Sequence, residues 1–327
     1  MNIRREQAHL AASMYYEQGL TMDAVARRLD VSRSSVSRLL AFARTSGIVQ
    51  IRVSAPLTEP GTLAAEFQRQ FGVRTLVGPT LEVDSPATRL NSVAAVAASR
   101  LSELMAPGKT LGVAWGNTVS AVINHIAPHS MPGSTVVQLN GAANAFDSGT
   151  LYSDSIISTL AKAYDSSAVH FPVPAFFDYV ETKNALVRER SIRRVLDVID
   201  SCDLAVFGVG AMDPAMPSHV YAGGYLSSTE LKEAREDGVV GDICTVLIRE
   251  DGTTDMPLNA RASGPLPAQL KRISTRLCVV AGSAKVPALL GALRAGVVTD
   301  LIIDSSAARA LVHRIREAGR GDLPGTL

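Results

Sequence analysis

Cysteine is scarce in this chain, with only Cys202, Cys244 and Cys278 among 327 residues. The three lie far apart, without CxxC or metal-ligand spacing, and each sits beside apolar residues. That pattern predicts buried free thiols in a reducing compartment, not metal ligands. Long apolar runs are missing as well: no stretch approaches the roughly 18 apolar residues of a membrane span. The N-terminus, MNIRREQAHLAA, also lacks the apolar core of a signal peptide. A soluble, cytoplasmic protein with no membrane partner is expected. Lysine is absent from residues 1–53, which hold eight arginines against four acids, a net +4. Of 32 basic and 31 acidic residues in all, 24 and 27 remain for the rest of the chain, a net −3. A small basic head therefore precedes a mildly acidic body, and the asymmetry points to a polyanion partner for the head alone.

What the head does contain is a helical pattern with abrupt stops. Residues 5–18 place Ala8, Ala11, Ala12 and Tyr15 on one stripe, and Gly19 ends it. Thr21 is a good N-cap for a second helix carrying Ala24, Val25 and Leu29. Asp30-Val31 makes a short turn. The stretch DVSRSSVSRLLAFARTSG (30–47) then crowds four serines and two arginines into Ser32–Arg38. Ser32 caps a third helix whose buried face is Val36, Leu39, Leu40 and Ala43, and Gly47 stops it. IVQIRV (48–53) alternates like a half-buried strand. Helix, turn, amphipathic helix and strand make a winged helix-turn-helix, all-α with a small wing. In that arrangement the last helix enters the major groove with its N-terminal turns against base edges. Thr21, Arg33, Ser34, Ser35, Ser37, Arg38 and Arg52 are the expected DNA contacts. Short hydroxyls allow close approach to the backbone, and arginine grips guanine or phosphate. One module covers half a site, so a homo-oligomer, a dimer or tetramer, on a double-stranded operator is expected.

Residues 54–61, SAPLTEPG, are Pro-rich and aperiodic and read as a linker between a head (1–53) and a body (62–327). In the body, helical patterns alternate with short apolar runs: RTLVG, TLGVAWG, STVVQLNG, AVHFPV, LAVFGVG, RLCVVAG and DLIIDS. The alternation predicts an α/β domain with a mostly parallel sheet and helices on both faces. Ligands of such sheets bind at the carboxyl ends of strands. GVAWGNTV runs a strand through Gly116-Asn117-Thr118 into a helix, whose free N–H groups suit a phosphate or carboxylate. QLNGAAN, FGVGAMD, VGDIC and VAGSAKV place polar residues at other strand ends, and together they mark a cleft.

At these segments, in this order and over nearly the whole chain, the sequence resembles the SorC family of sugar-binding transcriptional regulators, often grouped with the DeoR type. The segments are GVAWGNTV, VVQLNGA, SIRRVLDVIDSCDLAVFGVGAM, YLSSTELKEAREDGVVGDIC and VVAGSAKVPALLGALRAGVVTDLIIDSSAARALV. The resemblance implies an effector domain shaped like sugar-phosphate isomerases and deaminases, tetramers, and DNA binding modulated by a sugar, polyol or sugar phosphate. It implies Gly116, Asn117, Thr118, Asn140, Gly141, Gly208, Gly210, Asp242 and Lys285 as effector-binding residues. The chain departs from the family pattern in reading AGSAK where AGGxxK is common. Thr245 stands where a glycine usually follows GDIC, and Asp304-Ser305-Ser306 replaces TDE. Effector chemistry distinct from that of the sugar-phosphate binders is expected from these departures. An isomerase- or deaminase-like enzyme is the main alternative. It needs a positioned base and proton shuttle, and the candidate carboxylates (Asp147, Asp154, Asp178, Asp242) and histidines (His125, His129, His170, His219) form no compact sequence arrangement. No catalysis, metal or cofactor is expected. A constitutive DNA-binding protein with an inert body is the third reading.

Overall fold

A computed structural model describes residues 3–49, 60–81, 84–143, 149–213 and 217–321. The chain divides into two compact units, 1–55 and 56–327. In the first, α1 (Ile3–Ala12) runs into a π-helical turn, Ser13–Glu17, and Gly19 reverses the chain at φ +67°. α2 (Met22–Leu29) follows, capped by Thr21 Oγ1, which accepts from the Ala24 N–H at 3.3 Å. Asp30 at φ +53° terminates α2, and Val31 N–H bonds back to Ala26 O at 3.0 Å. α3 (Arg33–Thr45) begins at once, its N-cap Ser32 Oγ accepting from Ser35 N–H at 3.1 Å. Ala8, Ala11, Val25, Val36, Leu40 and Ala43 bury against one another, with Tyr15, Val31 and Leu39 packed on their margin. Ile48 and Val49 join that margin without forming a strand. The rest of the expected wing, including Arg52, and residues 54–59 of the expected linker lie outside the described residues.

The second unit opens with α4 (Pro60–Phe71), which starts inside the segment read as linker. There follow β1 (Arg74–Gly78), α5 (Pro86–Leu104), β2 (Thr110–Val113), α6 (Asn117–Ile123), β3 (Thr135–Gln138), α7 (Gly149–Tyr164) and β4 (Ser167–Val169). Next come α8 (Val180–Leu186), α9 (Arg190–Asp200), β5 (Leu204–Ala211), α10 (His219–Ala222), α11 (Ser228–Glu236), β6 (Val239–Ile243) and β7 (Val246–Arg249). α12 (Pro267–Leu270), β8 (Thr275–Val280), α13 (Val286–Arg294), β9 (Asp300–Asp304) and α14 (Ser305–Gly321) complete it. Seven strands pair in parallel in the order β1-β9-β8-β5-β2-β3-β4. Strand alternation divides the side chains between two cores. Leu204, Val206, Leu277, Val279 and Ile302 meet α5, α6 and α7 on one face. Ala205, Phe207, Cys278, Val280, Leu301 and Ile303 meet α4, α9, α13 and α14 on the other. Both faces are covered, which is why the strands read as continuous apolar runs.

The end of β5 leaves the parallel sheet. Val209, Gly210 and Ala211 pair antiparallel with β6, which forms a hairpin with β7. Its two-residue loop holds Cys244 at φ +50° and Thr245 at φ +68°, the conformation for which Asn-Gly is preferred. Thr245 stays there because its N–H reaches Asp242 Oδ2 at 3.1 Å and its hydroxyl bonds Cys244 O. A glycine after GDIC would suit this turn for the same backbone reason. Glycines also set how closely the hairpin sits: a Cβ on Gly241 would fall 2.0 Å from Gly210 O and 2.6 Å from the Ala288 Cβ. Gly241→Ala is therefore expected to cost about 2 kcal/mol of stability, the scale of overpacking a tight core. Denaturant unfolding checks this, and an unchanged midpoint would contradict the close approach.

Candidate functional site

The chain leaves β2 toward β3 but leaves β5 toward β8, in opposite directions across the sheet. Beyond the carboxyl ends of these adjacent strands a crevice must open, and open α/β sheets hold their ligands there. A cavity of about 260 Å³ occupies that place. Gly116, Asn117 and Thr118 after β2, Asn140 after β3, Gly208 and Gly210 of β5, Asp242 of β6 and Lys285 before α13 all line it. Gly141 does not. A Cβ there would lie 2.3 Å from Val173 O and 2.4 Å from Pro174 O, so this glycine serves chain packing. Its N–H donates to Ser263 Oγ at 2.9 Å, and its carbonyl accepts from Trp115 Nε1 at 2.9 Å. Gly141 thus acts behind the cavity wall, by fixing Trp115.

Each polar group in the cavity has a local cause. Gly116, at φ +152° and ψ 161°, occupies backbone space almost reserved for glycine and turns β2 into α6. α6 spans only seven residues, so side chains, more than a helix dipole, give this corner its polarity. Thr118 Oγ1 receives Lys285 Nζ at 2.7 Å. The loop carrying Lys285 is tied down by Gly282 N–H, which donates to Asp304 Oδ2 at 2.6 Å. Asp304 Oδ1 also accepts from the Ser306 and Ala307 N–H groups at the start of α14, which is the service rendered by the residue in place of TDE. Although AGSAK replaces the longer motif, Lys285 still faces the cavity.

Asp242 is 5% exposed, and Asn140 1%. Burial pushes the Asp242 carboxyl up to about 6, against the Tyr221 hydroxyl, the Thr245 N–H and the Lys285 ammonium, which all favour its charged form. Lys285 is lowered from its ordinary value by burial, against the pull of Cys278 and Asp242. Among the described residues Asn140 Oδ1 has no hydrogen-bond partner, and Asp242 Oδ1 has none beyond the neighbouring Tyr221 hydroxyl. A Cβ on Gly210 would lie 1.8 Å from Asp242 Oδ1, so the missing side chain is what lets this carboxylate lie across the strand. Cys244, another lining residue, is raised well above the usual thiol range by burial, and Cys278 goes to about 12 for the same reason. All three cysteines are free and buried. No described group of three or more His, Cys, Asp or Glu could hold a metal.

The site also has an aromatic wall. Trp115 stacks on Tyr225 at 5.3 Å and 27°, and meets His219 edge-on at 5.8 Å. Tyr225 OH donates to Ala142 O at 3.1 Å. The sequence named His219 only among four candidate histidines and pointed to neither Trp115 nor Tyr225. The chain's only tryptophan, immediately before a strand-end glycine, was the available signal. His170, another of those histidines, lies past β4, half-buried, with Nδ1 3.0 Å from Asp154 Oδ1 and away from the cavity lining. Asp147 lies outside the described residues.

On the first unit, the N-terminal turns of α3 expose Arg33, Ser34, Ser37 and Arg38, with Ser35 half-buried. Ser32 Oγ bonds both Ser34 Oγ (2.8 Å) and Ser35 Oγ (2.9 Å), and Arg38 donates to Ser35 Oγ at 3.3 Å. Arg33 stands 3.8 Å from Asp23, an exposed pairing that binds it weakly. Thr21 is exposed, with its hydroxyl on the α2 cap.

Residues 55–313 match the family model Sugar-bind, described as "Putative sugar-binding domain". The Deoxyribonucleoside regulator of Bacillus subtilis (strain 168) is 30% identical over 308 residues, 93% of this chain and 96% of that protein. The chain belongs to the SorC family of sugar-binding transcriptional regulators. Solved SorC-type structures agree in fold. The domain of a possible sugar-binding transcriptional regulator from Arthrobacter aurescens TC1 is 40% identical, covers 79% of this chain and all of its own, and superposes with a TM-score of 0.74. The full-length sorbitol operon regulator SorC of Klebsiella pneumoniae, 22% identical, covers 95% of this chain and 99% of its own with a TM-score of 0.77. In this SorC-family chain no described helix is long and apolar enough to cross a membrane.

Proposed function

We propose that this chain is a cytoplasmic, operator-binding transcriptional regulator whose DNA affinity is set by a small carbohydrate-like effector held in the 260 Å³ cavity. The observation that carries this reading is the cavity itself: Asn140, Asp242, Thr118 and Lys285 converge at a strand switch point beside an aromatic wall. Convergent polar groups against an apolar surface are the usual composition of a small-molecule site. The regulator's other half is a helix-turn-helix head, with α3 as the recognition helix and its exposed Arg33, Ser34, Ser37 and Arg38 toward bases and phosphates. Arg52 would add a further phosphate contact. One head reads one half-site, so a symmetric dimer or tetramer is the active form. Relatives named for deoxyribonucleoside and sorbitol operon regulation support the class.

The test is reciprocal coupling. A bound effector must change DNA affinity by the same factor by which DNA changes effector affinity. Thermal shift and DNA titration across sugars, polyols and their phosphates would show one ligand moving both readings, whereas an enzyme would consume it. Lys285→Ala is expected to weaken the effector response at least tenfold while DNA affinity without effector stays within about twofold, because one charge-assisted contact is worth roughly 1.5–3 kcal/mol. A variant that responds like the wild type would place the effector elsewhere.

A further inference from the structure

We infer that the second unit carries a further ligand site, for a monocarboxylate with an apolar body, separate from the effector cavity. A cavity of about 340 Å³ is lined by α8, α9 and the loop that leads into α12, and it shares no lining residue with the first. Buried Phe171, Phe177 and Ile199 line it together with the more accessible Val187, Leu196 and Leu266. Lys183, half-buried on α8, is the only Lys or Arg in this lining. Mostly apolar walls with a few placed polar groups, around a space of roughly 300–1,000 Å³, are the usual composition of a small-molecule site.

Lys183 sets the charge of the ligand. Its Nζ donates to Ala260 O at 3.1 Å, the one hydrogen bond it makes among the described residues. An ammonium carries three donors. No described carboxylate acts on it. Asp200, the one acid of the lining, stands 3.9 Å from Arg272 with its side chain 54% exposed. Burial lowers the Lys183 pKa, and an anion against the ammonium would offset that penalty. One positive charge among apolar side chains suits one negative charge. A phosphate, at about −1.5 to −2 charges, would leave an excess buried there. The rest of the ligand must be apolar to match Phe171, Phe177, Leu196 and Ile199, a chemistry that aliphatic and aromatic acids share. The site also meets the aromatic wall of the effector cavity from behind. Ser263, a lining residue, accepts from Gly141 N–H at 2.9 Å and donates to Ala175 O at 3.0 Å. Gly141 O in turn holds Trp115 Nε1 at 2.9 Å. An acid that displaces Ser263 would therefore shift Trp115. Only this coupling rests on the reading of the first cavity as the effector site.

Calorimetry of the full chain with octanoate, 4-methylpentanoate and phenylacetate, each beside its primary amide, tests the assignment. At least one acid is expected to bind about tenfold or more tightly than its amide, the scale of one charge-assisted contact. Lys183→Met keeps the length of the side chain and removes its charge. That acid should then weaken about tenfold or more, while the amide stays within about twofold. Lys183→Gln, polar but uncharged, should do the same, which separates lost charge from a folding defect of the methionine variant. Equal binding of acid and amide, an acid untouched by both substitutions, or no binding by any acid at millimolar concentration each overturns the inference. Because Trp115 is the chain's only tryptophan, its emission reports the coupling. Saturating acid should shift it, and an unmoved emission strikes the coupling while the site stands. No sugar or DNA enters these measurements, so their failure leaves the regulatory reading untouched.

Discussion

Replacing Arg33 and Arg38 together by alanine is expected to lower affinity for the cognate duplex about 100-fold or more, with effector binding unchanged. Both side chains are exposed on the first turns of α3. Among the described residues they meet Asp23 in an exposed pairing and Ser35 Oγ in one hydrogen bond, which leaves both guanidinium groups available to an incoming groove. An arginine that grips a guanine or phosphate contributes roughly 1–3 kcal/mol, and two separated contacts add approximately. The core of the head, Val36, Leu40 and Ala43, is untouched by the change, so α3 remains folded. Fluorescence anisotropy at several salt concentrations supplies a second reading. If both arginines meet phosphates, the slope of log K against log salt falls by about 2. Affinity within threefold of wild type would remove α3 from the DNA interface.

Asp300→Ala is expected to cost about 1.5–3 kcal/mol of stability, as the loss of charge-assisted hydrogen bonds to one buried carboxylate does. Asp300 is 2% exposed and begins β9. It accepts from Arg74 Nε (3.0 Å) and NH2 (2.7 Å) on β1, from Arg100 on α5 at 3.3 Å, and from the neighbouring Thr299 hydroxyl at 3.0 Å. One carboxylate therefore pins the edge strand and a covering helix to the sheet. Burial pushes its pKa up, but the Arg74 and Thr299 hydrogen bonds, with the Arg100 contact, outweigh this and leave it below the usual value of 3.8. A depressed folded pKa stabilises above the unfolded pKa and ceases to do so as pH falls through the folded value. The gap between wild type and Asp300→Ala in denaturant unfolding should be full at pH 6 and shrink below pH ~3.8. A gap that stays constant down to pH 2 would show that packing, and not charge, sets the cost.

The seven parallel strands were legible because the central ones are buried on both faces and all are flanked by periodic helices, as LAVFGVG and DLIIDS illustrate. β6 and β7 were read only as a strand end, VGDIC. Gly241-Asp242 interrupts the apolar run, and Cys244-Thr245 does not look like a hairpin turn. α13 escaped for the opposite reason: Val286, Ala288, Leu289, Leu290, Ala292 and Leu293 are buried all round it, so no polar stripe marks its period. In the site, residues at strand termini could be anticipated from topology. The aromatic wall could not, because Trp115 and Tyr225 lie 110 positions apart and only the folded chain stacks them. Gly141 looked like its neighbour Asn140 in sequence, and the carbonyls of residues 173 and 174 separate their roles.

Asp304 sits at the root of the last helix and, through one hydrogen bond to the Gly282 amide, also anchors the strap that bears Lys285. The ammonium in the cavity is thereby moored to the far end of the chain. Any tug on that helix would be felt as slack at Lys285 without a single residue of the helix lining the cavity.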